Sequence, residues 1–388
     1  MQPKLLELHF SQLQTEWSTS KYNNYSDDRK NIYHAKLATI IEGLGKEDFA
    51  TLDDSQIQER YWVIFFVFKS LEFLNHSTRS TIPFEMVYVL EVALKEWSPA
   101  NDYIIVTSLT NGMNEFSFDG SLSFYPFIYK YIENLYGVYF DYKLVQINLP
   151  ESTSRDYLAN VVLYHELGHF IEKKFAITRV IYKELLAAVR RASDPAEINN
   201  IYRFFPYLRL PAKVDEFEND YQEYNQLSMH ISEYFCDLFA SQYVKDCSNF
   251  YLEYVTLNQA VESSTHPSTI NRIIFINEYL DNKGGFVLSE YKRIVKRITG
   301  MEIGYKGKDF STSNFESLIP VEVKELSELH GLFHYGWKVW LGEWENIRQK
   351  AEIQFTLSNA DVYAIINNLI EKSIGNFIVK NEWELVKA

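Results

Sequence analysis

The sequence contains few of the residues that mark specialised protein classes. Only two of its 388 residues are cysteine, Cys236 and Cys247, too few for a disulfide framework and not spaced as a CxxC pair. Glycine (15) and proline (10) are scarce, which excludes collagen-like and linker-dominated architectures. The apolar run Tyr61–Phe68 has 8 residues, well short of the roughly 20 that a membrane-spanning helix needs.

Basic residues are also under-represented. The chain has 38 Lys and Arg against 52 Asp and Glu, a formal net charge of −14. Because this charge repels phosphate backbones and anionic lipid, we expect no nucleic acid and no membrane as partner. Met1–Phe10 lacks the basic, apolar and small-residue regions of a signal peptide, so a cytoplasmic protein is expected.

Helical spacing of apolar residues dominates the chain. Two segments instead predict strands, Tyr103–Leu109 and Lys143–Leu149. A capping box at Thr153–Asp156 predicts the start of a helix that runs to about Lys174. The other helices are predicted after the cap Ser26–Asp28 and over Ile57–Leu74, Phe84–Trp97, Thr178–Ala192, Pro195–Phe205, Val214–Val244, Ser248–Ser263, Pro267–Leu280, Ser289–Thr299, Val321–Leu341 and Ala360–Val379.

These elements predict a mainly α, α+β protein with a small sheet. Helical regions over residues 1–100 and 321–388 are expected to flank a central domain over 101–300. Residues 301–320 are rich in Gly, Ser and Thr and predict a linker or a long loop.

The central domain contains an HExxH pattern at residues 165–169 (HELGH). Histidines four residues apart leave one face of a helix about one turn apart, so His165 and His169 can both reach one Zn²⁺ ion. Glu166 lies about 100° around the helix from His165, where it can contact water at the metal. Its expected role is that of general base.

A catalytic zinc ion needs a third protein ligand. Glu233 and Asp237 lie four residues apart in one predicted helix, so Glu233 can be this ligand while Asp237 accepts the far N–H of a ligand histidine. His230, on the same face, is the competing ligand or a hydrogen-bonded residue beside the site. Cys236 points to a neighbouring face and is expected to be a small buried apolar residue.

The combination of HELGH and ExxxD resembles the gluzincin zinc metallopeptidases. The segment Ser264–Ile273 (STHPSTINRI) is similar to the His-Pro…Arg-Ile element of the HtpX-like and prenyl-protease-like branch, although this chain has no predicted membrane helix. The three elements span about residues 156–280. The resemblance implies a zincin-like α+β catalytic domain with zinc at His165, His169 and Glu233.

The same resemblance implies roles for several other residues. His266 would lie near the metal as an extra ligand or an oxyanion donor, with a helix-start histidine as the alternative. Arg272 would order a loop or bind the substrate backbone. The strand Lys143–Leu149, or one paired with it, would be the edge strand that binds a peptide.

Two other patterns are weaker. His330 and His334 form a second pair at helical spacing, but no Glu follows His330 and no acidic partner lies at a matching phase, which disfavours a metal site. No glycine-rich phosphate loop follows a predicted strand, so no nucleotide cofactor is expected.

The sequence therefore predicts a zinc metalloendopeptidase that acts on an intracellular protein or peptide. The alternatives are an interaction or regulatory module on a zincin scaffold with little or no hydrolysis, and a hydrolase of non-peptide amides. The oligomeric state is not predicted.

Overall fold

A computed structural model describes residues 2–77, 84–99, 103–112, 115–191, 194–256, 260–354 and 356–387. Helix accounts for 70% of the residues and strand for 5%, which confirms the mainly α part of the predicted fold class. None of the helices in the described ranges is both long and apolar enough to cross a lipid bilayer.

The α-helices follow one another along the chain with few interruptions. In chain order they are α1 Pro3–Ser20, α2 Asp28–Leu44, α3 Asp54–His76, α4 Phe84–Trp97, α5 Ser121–Phe124, α6 Pro126–Tyr136, α7 Val162–Phe175, α8 Ile177–Arg191, α9 Pro195–Phe204, α10 Pro211–Asn219, α11 Gln226–Val244, α12 Cys247–Thr256, α13 Thr269–Leu280, α14 Phe286–Thr299, α15 Ser313–Glu316, α16 Leu326–Lys338, α17 Trp344–Lys350 and α18 Asn359–Lys387. A π-helical turn, Val339–Glu343, joins α16 to α17.

Three strands form one small sheet in the order β1-β3-β2. They are β1 Tyr103–Thr110, β2 Ser117–Asp119 and β3 Lys143–Pro150. β3 pairs in parallel with β1, from Tyr103 opposite Lys143, and antiparallel with β2. Both predicted strands are confirmed. However, β3 is the central strand of this sheet, so it is not the edge strand that would bind a peptide. The alternative, that a strand paired with β3 binds the peptide, stays a prediction.

The chain divides into two compact units, Met1–Pro83 with Ser98–Ser154, and Phe84–Trp97 with Arg155–Ala388. The sheet belongs to the first unit and the HELGH segment to the second. The segment predicted as a central domain, 101–300, therefore has residues in both units.

The first unit is built around a core of helices and sheet. Its buried cluster includes Leu37 of α2, Phe66 of α3, Ile104 of β1 and Leu144 of β3, all fully inaccessible to solvent. Burial of these large apolar side chains is the main force that holds the sheet against the helices.

The second unit is organised around α11. Every residue from His230 to Val244 is buried, so this helix is enclosed on all sides. An enclosed helix is normally apolar all round, yet α11 carries Glu233 and Asp237. Because buried carboxylates need partners, we expect cationic or hydrogen-bonding groups next to Glu233 and Asp237.

Two predicted helices have different bounds. Val214–Val244 is not one helix: α10 ends at Asn219 and α11 begins after Asn225, whose side chain accepts from Ser228 N and caps the new helix. The Thr153 capping box is also wrong, because the Thr153 hydroxyl donates to Pro150 O and α7 begins only at Val162.

Other predicted helices overlap observed ones, but α12 ends at Thr256 where the prediction runs to Ser263, and α16 begins at Leu326 where the prediction begins at Val321. Phe84–Trp97 is α4, with the same bounds. Residues 257–259 of predicted helix Ser248–Ser263, and Ala192 at the end of another, lie outside the described residues. The predicted linker or loop has little helix but is held in place, since Lys306 N donates to Gln242 O of α11 at 2.7 Å.

Candidate metal centre

α7 presents its two motif histidines side by side. The rings of His165 and His169 have centroids 5.0 Å apart and lie nearly perpendicular to one another. The four-residue spacing along α7 accounts for this arrangement. The prediction that both imidazoles leave one helix face is confirmed.

Glu233 of α11 lies opposite both histidines. Its Oε2 is 3.3 Å from His165 Nε2 and its Oε1 is 3.4 Å from His169 Nε2. The Glu233 side chain is only 4% exposed. Burial would raise the pKa of Glu233, but the charge of Arg272 and the contacts with His165 hold it well below its usual range.

The other nitrogen of each histidine has its own acceptor. His165 Nδ1 lies 3.1 Å from Asp237 Oδ1. His169 Nδ1 lies 3.1 Å from Ser232 Oγ, and Ser232 donates its single hydroxyl proton to Glu172 Oε1. Because Ser232 has no proton left to give, a hydrogen bond between Ser232 and His169 needs Nδ1 as its donor. In the neutral tautomers that these contacts favour, both Nε2 atoms carry the lone pair.

Without metal, His165 is a strong base. Burial alone would lower its pKa, but hydrogen bonds to Asp237 and Glu233 and the charges of these carboxylates raise it to about 10. A cation at this position is therefore favoured, whether it is a proton on His165 or a metal ion.

Arg272 of α13 joins the two carboxylates. Its Nη2 lies 3.1 Å from Glu233 Oε2, and it also forms two hydrogen bonds with Asp237. The Arg272 side chain is 5% exposed. Its guanidinium is buried and paired with protein carboxylates in this arrangement, while the predicted roles in ordering a loop or binding the substrate backbone stay predictions.

Gly168 allows α7 and α11 to approach closely. A Cβ atom at this position would lie 3.0 Å from Cys236 Cα and 3.2 Å from Cys236 Cβ. This is closer than van der Waals contact between carbon atoms, which is roughly 3.5–4.0 Å. The glycine between the motif histidines therefore brings α11 within reach of them.

The donor set fits zinc. Ligands placed tetrahedrally at the usual zinc distances of about 2.0–2.2 Å lie about 3.4 Å from one another. Glu233 reaches the two Nε2 atoms with different oxygens, His165 with Oε2 at 3.3 Å and His169 with Oε1 at 3.4 Å, and each distance matches this separation. Two imidazoles and one carboxylate also form the three-ligand set of many catalytic zinc sites.

Cys236 is a second candidate for the third ligand, one that the sequence interpretation missed. Suitable ligand atoms of His165, His169 and Cys236 lie within 4.8 Å of one another. However, Sγ contacts His169 through Nδ1, at 3.2 Å, whereas Glu233 contacts the Nε2 atoms of both histidines. We therefore favour Glu233.

The predicted base, Glu166, is partly exposed. The Glu166 side chain makes no hydrogen bond or ion pair with another residue in the part of the chain that the structure describes. It thus differs from Glu172 on the same helix, which is buried and accepts from both Thr178 and Ser232.

His266 lies at the open side of the site. Its Nε2 is 3.7 Å from Glu233 Oε1, and half of its side chain is exposed. The structure therefore brings His266 next to the predicted ligands, as the resemblance implied, while its catalytic role stays a prediction.

His230 does not take part as a ligand in this arrangement. Its Nε2 donates to Ser263 O at 2.9 Å, and its Nδ1 lies 3.2 Å from the Tyr207 hydroxyl. Burial lowers the pKa of His230 to about 4, so it is neutral. Ser263 in turn contacts His266 through their backbones, so His230 supports the turn that carries His266.

The second histidine pair is separated in the structure. His330 is enclosed beside the Tyr164 hydroxyl, whereas His334 lies beside Asp246 and Cys247. They do not form a site together.

No protein-family model matches this chain, and no match was found among curated proteins or solved structures. The gluzincin resemblance therefore depends on the residues described above.

Proposed function

We propose that this chain is a zinc-dependent metalloendopeptidase of the gluzincin type. In this proposal His165, His169 and Glu233 bind the zinc ion. One observation carries the proposal: the Nε2 atoms of both motif histidines lie within 3.4 Å of the carboxylate of Glu233. An HExxH pattern that occurs by chance is not expected to lie beside a buried glutamate from another helix. The zincin-like nature of the domain is part of the same proposal.

When bound, Zn²⁺ supplies a Lewis acid that polarises a carbonyl oxygen and acidifies water. The role of the chain is to orient the donors. Asp237 and Ser232 each hold the Nδ1 proton of one histidine, which turns both Nε2 atoms toward Glu233.

Glu166 is the proposed general base. Its carboxylate has no partner among the described residues and is open to water, so it can accept a proton from the attacking water molecule. It would then pass this proton to the amine that leaves when the peptide bond breaks.

His266 is the proposed donor to the oxyanion. It is half exposed and lies beside Glu233, where Nε2 can donate to the oxygen of a tetrahedral intermediate. Its Nδ1 contacts the Thr265 hydroxyl at 2.8 Å, which orients the ring.

The test combines metal analysis with proteolysis. Full-length protein is loaded with zinc and incubated with casein, and the Glu166→Gln variant is compared with it. We expect the variant to keep its zinc but to lose roughly 10²–10⁴-fold in activity, the usual contribution of a general base. Glu223→Gln, at an exposed glutamate outside the site, is the matched control and should retain activity.

Two results would change the conclusion. Equal activity of Glu166→Gln and the unaltered protein would remove Glu166 from the proposed role. Zinc binding without cleavage of casein or of the chain itself would favour the interaction or regulatory module. A hydrolase of non-peptide amides would share the site, and only profiling with amide substrates separates it from a peptidase.

A further inference from the structure

A second group of metal-binding side chains lies outside the proposed active site, in the same unit. Asp246 and Cys247 lie at the start of α12, and His334 lies on α16. Suitable ligand atoms of the three residues lie within 4.8 Å of one another. The sequence offers no hint of this group, because His334 lies 87 positions from Cys247.

The separations suit a tetrahedral metal ion. Cys247 Sγ lies 3.7 Å from His334 Nδ1. A thiolate at about 2.3 Å and an imidazole nitrogen at about 2.0–2.1 Å from a tetrahedral zinc ion lie about 3.6 Å apart. Asp246 Oδ1 lies 2.9 Å from the same Nδ1 atom, so a small outward shift of the carboxylate gives all three donors a common centre.

The hydrogen bonding of Asp246 is incomplete. Its Oδ1 atom is shielded from solvent and makes no well-aligned hydrogen bond with any described residue, despite its approach to His334. A buried carboxylate oxygen without an aligned donor is costly. A cation at this position would satisfy it.

The group opens onto a cavity. Cys247 is fully buried, whereas the side chains of His334 and Asp246 are 25% and 45% exposed. His334 and Asp246 line a cavity of about 600 Å³, together with Lys245 and Lys292. The donor set is therefore closed on the thiol side and accessible from the cavity.

We propose that Asp246, Cys247 and His334 form a second zinc site, with the fourth position facing this cavity. Binding breaks the S–H bond of Cys247 and releases its proton to solvent while a zinc–sulfur bond forms. The cavity is lined by Asp281 as well as by Lys245 and Lys292, so its charge selects no class of ligand, and water is the ligand that suits the fourth position. This proposal does not depend on the peptidase function.

Cobalt(II) is the probe for the test, because its bond to a thiolate gives a near-ultraviolet charge-transfer band that histidine and carboxylate ligands do not give. The metal-free full chain, kept reduced, is titrated with Co²⁺ alone. We expect two bound equivalents and a thiolate band. Cys247→Ser should abolish the band and remove one equivalent, whereas Cys236→Ser, the matched control, should leave the band unchanged.

Two further variants keep the test decisive if Cys247→Ser does not fold. His334→Ala should also abolish the band, and Asp246→Asn, at a partly exposed position, should weaken Co²⁺ binding at this site by at least roughly tenfold. The absence of a thiolate band, or a band that persists in His334→Ala, would overturn the proposal. One bound equivalent with a band sensitive to Cys247→Ser would support this site and count against the proposed peptidase site.

Discussion

The guanidinium of Arg272 forms a two-point contact with the carboxylate of Asp237, from Nε to Oδ2 at 2.8 Å and from Nη2 to Oδ1 at 2.7 Å. Such parallel hydrogen bonds fix both orientation and charge. Asp237 in turn contacts His165, and Arg272 also contacts Glu233. One buried cation therefore orients the proposed ligands and balances the negative charge around them.

Removal of the Arg272 guanidinium should destabilise the folded protein. We expect Arg272→Met to lower the free energy of unfolding by about 3–5 kcal/mol, the typical cost of leaving a buried charge unpaired. We also expect it to reduce zinc content, since Asp237 loses the partner that orients it. Urea unfolding and metal analysis measure the two effects.

The matched control for Arg272 is Arg203. Arg203 pairs with Glu278 at 2.8 Å, but its side chain is 48% exposed. Arg203→Met should change the free energy of unfolding by no more than about 1 kcal/mol, as is usual for surface pairs. Equal destabilisation by the two variants would show that the buried contact has no special importance.

The identity of the third ligand can be decided with two variants. Glu233→Gln replaces a carboxylate by a neutral amide, so we expect zinc affinity to fall by more than the roughly 10–100-fold typical for loss of an outer partner of a ligand. Cys236→Ser should retain zinc, because Sγ contacts Nδ1 of His169 and not the Nε2 atom that faces Glu233. Equilibrium dialysis against zinc measures both affinities. If Cys236→Ser loses zinc while Glu233→Gln keeps it, the third ligand is Cys236.

Local periodicity accounts for what the sequence could predict about the site. The four-residue spacings of His165 with His169 and of Glu233 with Asp237 each place two side chains on one helix face. The structure brings these two faces together. The strands were predicted for a similar reason, because the β-branched residues of Tyr103–Leu109 and the alternation in Lys143–Leu149 are local properties.

The contacts that the sequence did not reveal all join different helices or different strands. Cys236 and Ser232 reach His169 because α11 crosses α7 at Gly168, and no spacing within one helix encodes that crossing. The position of β3 between β1 and β2 likewise depends on pairing between distant segments. The burial of Arg272 follows from the packing of α13, which the His-Pro…Arg-Ile resemblance did not specify.

Gly168 should be intolerant of even one added methyl group. We expect Gly168→Ala to lower the free energy of unfolding by about 1–3 kcal/mol, the usual cost of overpacking, and to weaken zinc binding because α11 must shift. The control is Gly375→Ala in α18, where the nearest atom would lie 3.8 Å away. That variant should be neutral or stabilising by up to about 1 kcal/mol. The same response to both substitutions would refute the close approach.

His330 should make stability depend on pH in the acidic range. It is fully buried on α16, with Nδ1 2.7 Å from the Tyr164 hydroxyl, and burial lowers its pKa to about 3 from 6.5. Between these values the unfolded chain binds a proton that the folded chain does not. The contribution of this histidine is therefore fully present above pH 6.5 and is lost as the pH falls toward 3.

The variant His330→Asn isolates this effect, because an amide oxygen can accept from Tyr164 but cannot titrate. Relative to this variant, we expect the free energy of unfolding of the unaltered protein to fall by about 1.4 kcal/mol for each pH unit below about 6. Urea unfolding of both proteins at several pH values measures the difference. Parallel pH dependences would mean that His330 takes up a proton in the folded state, and hence that its enclosure beside Tyr164 does not keep it neutral.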